Sequence, residues 1–316
     1  MSRQFRDFLA KYGTALGGLV VFSFFALFAE NFLTGTNLLN VAKQISYLTI
    51  LSLGFLLALT TAELDLSFAN VCSLAGVSCG GLIYYHYSIP LAIVAGVGVG
   101  VMAGLINGLA VTRLKVPSLI ATLAMASAAN GAGFWMTKGV AYVGRWPEAF
   151  VFLGRGKLLG APILAWWTIS FAALAFYFLN QTRLGLHLTF TGENDEAARL
   201  AGIPVKRMKV LGLTLSGLAA GIVAVLLTAS LSSAGPTSAH DFMLTSMAAV
   251  LLGMTMIEPG RPNVLGSLIG ALTIGILSNG LVLLGAPYYI QDIILGVIIV
   301  ASVSLSASTI TKAAFH

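Results

Sequence analysis

Apolar residues run along this chain in long unbroken blocks, separated by short polar interruptions. A spanning helix needs about 20 mostly apolar residues. Ten segments qualify, at roughly 14–30, 44–62, 66–86, 90–112, 116–137, 162–180, 209–231, 241–257, 262–284 and 288–309. The blocks are continuous rather than alternating, which predicts helices and not a barrel. The expected fold is an all-α polytopic membrane protein of about ten transmembrane helices, a single domain over residues 1–316. The first block follows a basic start, but Leu27-Phe28-Ala29-Glu30 is a poor small-x-small cleavage site. A retained first span is therefore expected rather than a removed signal.

Two polar interruptions are long, 138–161 and 181–208. The first, with Trp146-Pro147 and several glycines, reads as an ordered surface loop. The second holds a polar island from Arg183 to Lys209, with eight of the 28 charged residues (17 Lys and Arg, 11 Asp and Glu).

Composition sharpens this picture. The chain is 58% hydrophobic and 9% charged, with a mean hydropathy of +0.93; water could not solvate such a surface, so lipid is the solvent. With the N-terminus in the cytoplasm, the inside segments carry Arg3, Arg6, Lys11, Arg113, Lys115, Arg183, Arg199, Lys206, Arg207, Lys209, Arg261 and Lys312. The outside segments carry only Lys43, Lys138, Arg145, Arg155 and Lys157. That asymmetry predicts both termini and the island on the cytoplasmic side. It also accounts for the net charge of +6 without any nucleic-acid partner.

Gly96, Gly100, Gly104 and Gly108 recur every four residues and make a flat ridge on one helix face. Such a ridge lets another backbone approach closely, and Gly217/Gly221 and Gly266/Gly270 offer the same elsewhere. Cys72 and Cys79, seven apart on one face, read as small apolar packing and not as a disulfide framework. An internal echo links Asn107-Gly108-Leu109, followed by Pro117, with Asn279-Gly280-Leu281, followed by Pro287. The first belongs to an inside connection and the second to an outside one. Spans two to five and seven to ten would then be repeats of opposite orientation.

Candidate chemistry is sparse. His86, His187, His240 and His316 are scattered, and no His-Glu-x-x-His, Cys-x-x-Cys, Gly-x-Ser-x-Gly or Walker A pattern occurs. No catalytic residue, metal site or cofactor is expected in this chain. Ionisable residues near the spans are Glu63, Asp65, Asp241, Glu258 and Asp292. Carboxylates at membrane depth are costly and usually face a cavity. Asp65 has two readings: part of a hairpin turn at the interface, or part of a broken helix lining a path. No buried series of acids and histidines suggests a proton relay, which disfavours ion-driven transport.

Within the island, Asn194 is a good N-cap, with Asp195 and Glu196 in the first turn where the helix dipole favours negative charge. Asp195 and Arg199 are four apart and can pair. Ala197, Ala198, Leu200 and Ala201 make a slim body, Gly202 a stop, and Pro204 the start of the next segment. From the residues alone this is either a helix shaped for a groove on a partner protein or a solvated loop.

Here the sequence resembles a known family. Asn194-x-x-Ala197-Ala198-x-x-x-Gly202-Ile203 and the span after it resemble the cytoplasmic loop of bacterial ABC importer permeases. The branch is the one serving ribose, xylose, rhamnose, galactofuranose and autoinducer uptake, with branched-chain amino acid-like permeases. Phe32-Leu33-Thr34-x-x-Asn37-Leu38-x-Asn40, Gln44-x-Ser46, Asp65-Leu66-Ser67, Asn107-Gly108, Pro117 and Thr122-Leu123 are similar to its motifs. So are Ser232-Ser233-Ala234-x-Pro236, Ala248-Ala249-Val250, Leu252-Gly253, Gly266-x-x-x-Gly270 and Asn279-Gly280, and the likeness runs over about 30–305. The chain departs from the pattern at Glu63, where the family carries a small neutral residue, at Ser118 for a second Pro, at Ala69-Asn70 for Gly-Ser, and over Met256–Arg261.

The resemblance implies an inverted-repeat, type II importer permease in the bacterial inner membrane. Two permease chains, identical or merely similar, would form the path at their interface. Below them would dock two cytoplasmic ATP-binding subunits or one tandem ATPase, which hydrolyse the ATP, and a periplasmic substrate-binding protein would deliver a sugar. Gly192, Asn194, Glu196, Ala197, Ala198, Arg199, Gly202 and Ile203 would form the coupling helix in the ATPase cleft. Asp65, Ser67, Asn107, Thr122 and Asn279 would border the substrate path. Sister branches make branched-chain amino acids or nucleosides the alternative cargo, and an ATP-independent secondary carrier is the further alternative.

Overall fold

The computed structural model describes residues 3–305; Lys312 and the end of the tenth expected span lie outside the described residues. Helices α1 (Arg3–Phe28), α2 (Gly35–Leu59), α3 (Phe68–Tyr84), α4 (Ile89–Arg113) and α5 (Ser118–Thr137) form the first part. After them come α6 (Glu148–Arg155), α7 (Ile163–Gln181), α8 (Arg183–Glu193) and α9 (Asp195–Leu200). The chain continues through α10 (Val205–Leu231), α11 (Phe242–Gly253), α12 (Val264–Leu283) and α13 (Tyr288–Leu305). Among the described residues six helices, α2, α4, α5, α7, α10 and α12, are long and apolar enough to cross a membrane. Shorter apolar helices at Ala15–Phe28, Phe68–Tyr84, Phe242–Gly253 and Tyr289–Ser302 occupy the other four expected positions.

The core of the bundle is α10 laid against α4. A Cβ on Gly100 would run into the Gly217 carbonyl, one on Gly104 into Leu213 O, and one on Gly108 would meet Val210 Cα at 2.7 Å. Backbone thus lies on backbone, as the four-residue spacing predicts. A second seam joins α11 and α12, where Gly253 and Gly266 abut and Gly270 lies against the Ala249 carbonyl. Cys72 and Cys79 are free and buried in α3.

The packing maps onto itself when the two halves are exchanged. α4 lies on α10 as α12 lies on α2; α3 lies on α4 as α11 on α12; α3 lies on α5 as α11 on α13. The halves run oppositely. At the side of the polar island α2 ends and α10 begins, with Glu63 beside Lys209. There α4 also ends, its Thr112 bordering the same recess as Glu193, whereas α12 begins there, after Arg261, which pairs with Glu193. This is the arrangement the short Asn-Gly echo points to.

Two connections differ from expectation. Segment 138–161 is more than a surface loop, because α6 and one of two small antiparallel ladders hold it to the bundle. β1 (Tyr142–Val143) pairs with β4 (Ser233–Ala234), and β2 (Lys157–Leu158) with β3 (Ala161–Pro162). Trp146 and Phe150 are buried against Cys79, Ala229 and Ala234, apolar area that a solvated loop would leave wet. Segment 181–208 is mostly helical: the Thr182 hydroxyl accepts the Gly185 N–H at 3.1 Å and starts α8.

Candidate functional site

The island is a cap-to-cap unit. Asn194 Oδ1 accepts the Ala197 N–H at 3.0 Å, closing the start of α9. At its end Ile203 N–H donates to Ala198 O and Gly202 N–H to Arg199 O, both at 3.0 Å. This paired 6→1 and 5→2 pattern needs a left-handed residue, and Gly202 supplies it at φ +80°. Ala198 is turned into its own chain, 4% exposed, whereas Leu200 stands 82% exposed. Glu196, Ala197 and Arg199 are exposed beside it. A short charged helix thus presents one apolar side chain outward, a direction that the helical spacing alone does not pick out.

Asp195 does not pair with Arg199. Its carboxylate lies 3.1 Å from Lys209 Nζ in the first turns of α10. The reason is the bend after α9: Gly202 and Pro204 fold α10 back so that Lys209 reaches across, and it also meets Glu63 at 2.9 Å. Glu63 is 5% exposed, so Lys209 neutralises a buried carboxylate that would otherwise be costly. Backbone contact reinforces this link, because a Cβ on Gly192 would collide with the Thr60 carbonyl. On the other flank Arg261 Nη2 pairs with Glu193 Oε1 at 3.0 Å, tying the α11–α12 connection to the end of α8. Under the island lies a recess of about 770 Å³ bordered by Thr61, Glu63, Thr112, Lys115, Ser118 and Arg199.

From Glu63 the chain runs without regular structure to Ser67, between α2 and α3, and this linker is where four of the expected path residues gather. Asp65 Oδ1 accepts from Ser67 N–H at 2.9 Å and Ser67 Oγ at 2.6 Å. Asn107 Nδ2 of α4 donates to Ser67 Oγ at 2.9 Å. From α5, Ser118 Oγ accepts the Leu64 N–H at 3.2 Å, and Thr122 Oγ1 donates to the Leu64 carbonyl at 3.1 Å. Non-helical backbone is tolerated at such depth only when protein groups satisfy it, and two hydroxyls one helical turn apart do so here. Asp65, Ser67, Asn107 and Thr122 are all buried in one chain, Asp65 at 1% exposure. The two Ser67 donors offset part of the cost of burying that carboxyl group. The linker is thus a non-helical connection between α2 and α3, tied by these hydrogen bonds to α4 and α5. Ser118, one of the departures from the family pattern, takes part in it.

Asn279 stands apart. It lies near the far end of α12 and makes a reciprocal amide pair with Asn37 of α2, each Nδ2 to the other's Oδ1 at 3.0 Å. Among the described residues no three His, Cys, Asp or Glu side chains come together as a metal site.

Buried polar linkers, glycine seams and a charged island standing proud of an apolar bundle define a polytopic membrane permease. The chain belongs to the branched-chain amino acid transport system / permease component family, whose model matches residues 37–303. It is 34% identical to the ribose import permease protein RbsC of Escherichia coli (strain K12), over 90% of each chain. RbsC of Bacillus subtilis (strain 168) is 33% identical over 96% of this chain and 94% of its own. The L-arabinose transport system permease protein AraH of Escherichia coli (strain K12) is 32% identical over 93% and 89%. A solved ABC-transporter chain in an inward-facing conformation overlaps 94% of this chain and 96% of its own, at a TM-score of 0.47 and 12% identity. That likeness is too loose to carry detail. Family and helices together make this a multi-pass membrane protein that works with ATPase and substrate-binding components.

Proposed function

We propose that this chain is the non-catalytic membrane subunit of an ATP-driven importer for a sugar of the pentose class. The observation that carries the reading is the island: a helix capped at both ends, displaying Leu200 outward and bonded through Lys209 to the linker inside the bundle. Gly192, Asn194, Glu196, Ala197, Ala198, Arg199, Gly202 and Ile203 build this coupling unit, with Asn194, Ala198 and Gly202 shaping it and Glu196, Ala197, Arg199 and Leu200 facing an ATPase. Closure of the ATPases on ATP pushes a rigid helix, and the ion pairs pass that displacement to residues 63–67. A partner that holds the helix differently in its two nucleotide states supplies the differential binding that alternating access requires.

The charge asymmetry supports an island, and N- and C-termini, on the cytoplasmic side. A second permease chain, the same or similar, completes the path, with two ATP-binding subunits or one tandem ATPase below and a periplasmic binding protein above. Asp65, Ser67, Asn107 and Thr122 shape the inner wall of the path by holding the linker, and Asn279 the outer part through α2. The named substrates of the ribose and arabinose relatives support a pentose.

The test is co-reconstitution in proteoliposomes with the cognate ATPase and binding protein. ATP-dependent accumulation of D-ribose or L-arabinose is expected. Accumulation that follows an ion gradient without the ATPase would refute the reading.

A further inference from the structure

One cavity in the bundle is not used by the island or the linker. A recess of about 530 Å³ lies between α2, α12, the α10–α11 connection and the first turn of α13, within the roughly 300–1,000 Å³ of small-molecule sites. It sits on the side away from the island. Gln44 is in the first half of α2, Ser278 near the end of α12, and Gln291 and Asp292 open α13.

Exchange of the two halves relates this recess to the inner linker. There α5 lends Ser118 and Thr122 to the Leu64 backbone, and Asn107 bonds Ser67, so the polar groups satisfy one another. Here the first turn of α13 faces the α10–α11 connection across open volume. Gln291 Nε2 donates to Ser278 Oγ at 2.9 Å, and its carbonyl oxygen remains as an acceptor. Asp241 and Asp292 add carboxylate acceptors and Gln44 an amide that both donates and accepts. Phe242 adds an aromatic face, its ring held edge-on to Tyr47 at 6.2 Å and 68°.

Planar amides and carboxylates around one aromatic ring suit a hydroxyl-rich ring: hydroxyls donate to the acids and accept from the amides, while the C–H face packs on the aromatic. No Lys or Arg lines the recess among the described residues; His240 does, with its Nδ1 beside Asn70 Oδ1, so an anionic solute would meet two carboxylates against a single imidazole.

We infer that this recess is a binding station for an uncharged monosaccharide entering from the outer side, contacted by Gln44, Ser278, Gln291 and Asp292. The inference rests on the sugar-importer reading. It puts the open polar site in the half of the inverted repeat opposite the closed one.

The test uses the complete transporter in proteoliposomes, with D-ribose and L-arabinose as probes. Uptake of neither sugar by the wild-type complex would overturn the importer reading and this site with it. Given wild-type uptake, Gln44→Leu and Gln291→Leu each lose hydrogen bonds to the solute and should lower uptake about tenfold. Both variants should still co-purify with the ATPase as a monodisperse complex. A second readout does not depend on transport. Asp292→Cys, in a chain with Cys72→Ala and Cys79→Ala, places a thiol at an exposed position of the recess; it should be labelled from outside by a membrane-impermeant thiol reagent, and excess D-ribose should slow labelling about tenfold, whereas glycerol should not. Wild-type uptake by either Leu variant, or a labelling rate that D-ribose leaves unchanged, would overturn the site while leaving the importer standing.

Discussion

Lys209 holds Glu63 at 2.9 Å, so a residue at the start of α10 neutralises a carboxylate buried where α2 gives way to the linker. The same ammonium reaches Asp195 of α9 at 3.1 Å. One cation therefore joins the surface helix to the inside of the bundle. The two contacts differ in kind: the Asp195 side chain is 57% exposed and that of Glu63 only 7%, so water screens the first and little screens the second.

Removing the cation should be costly because Glu63 would be left charged and buried. Lys209→Met is expected to destabilise the protein by about 3 kcal/mol, and adding Glu63→Gln should recover most of that loss. Thermal unfolding of the purified protein in detergent checks this. A double variant no more stable than Lys209→Met would show that the pair is not coupled.

Leu200 should matter for coupling and not for folding. Leu200→Asp is expected to cut sugar uptake and ATPase association about tenfold or more, with a melting temperature within about 2 °C of wild type. Ala198→Arg, in contrast, must find room inside the chain's own packing and should unseat α9. Equal behaviour of the two variants, read by uptake and by melting, would refute the assignment of faces.

Asp65 anchors the linker by accepting twice from Ser67. Asp65→Ala leaves those donors and Asn107 to rearrange, a cost of about 1–3 kcal/mol for buried groups. Glu258 makes only a loose, exposed pair with Arg261 at 3.9 Å, so Glu258→Ala should change stability by about 0.5 kcal/mol or less. Transport should follow the same order, measured side by side.

Gly100→Val should prevent assembly of the bundle, since the new side chain would collide with the backbone of Gly217 and Gly221. Gly98→Val on the same helix meets nothing within 4 Å and should insert and transport normally. Fluorescence-detected size exclusion separates the two outcomes.

Much of this architecture is legible in the sequence because local chemistry decides it. The glycine spacing announces the α4–α10 seam because a four-residue period fixes one helix face. Asn194 and Gly202 announce the ends of α9 because capping is decided within a few residues. The Asp65–Ser67 and Asn107 signals lie far apart in the chain, but their polar character in apolar surroundings marks them, and they do meet. Other features depend on distant parts of the chain. Asp195 has an acceptable partner at Arg199, and only the fold-back at Gly202-Ile203-Pro204 gives it Lys209. The helix from Arg183 to Glu193, with glycines and β-branched threonines, has weak intrinsic propensity and is held by packing on α7 and α10. The outward direction of Leu200 and the recess at Gln44, Ser278 and Gln291 exist only once α2, α12 and α13 converge and the island folds onto α10.

The seam between α4 and α10 constrains how the molecule can move. Helices that touch through side chains own alternative packings, because rotamers can switch and ridges can find new grooves. Where Gly100, Gly104, Gly217 and Gly221 meet there are no rotamers to switch, and interiors packed this closely do not deform by degrees. The seam behaves as an axle: it joins one helix from each half and offers no second resting place. Rearrangement must then fall to elements hung outside it, such as α5 and α13, which lack such a weld.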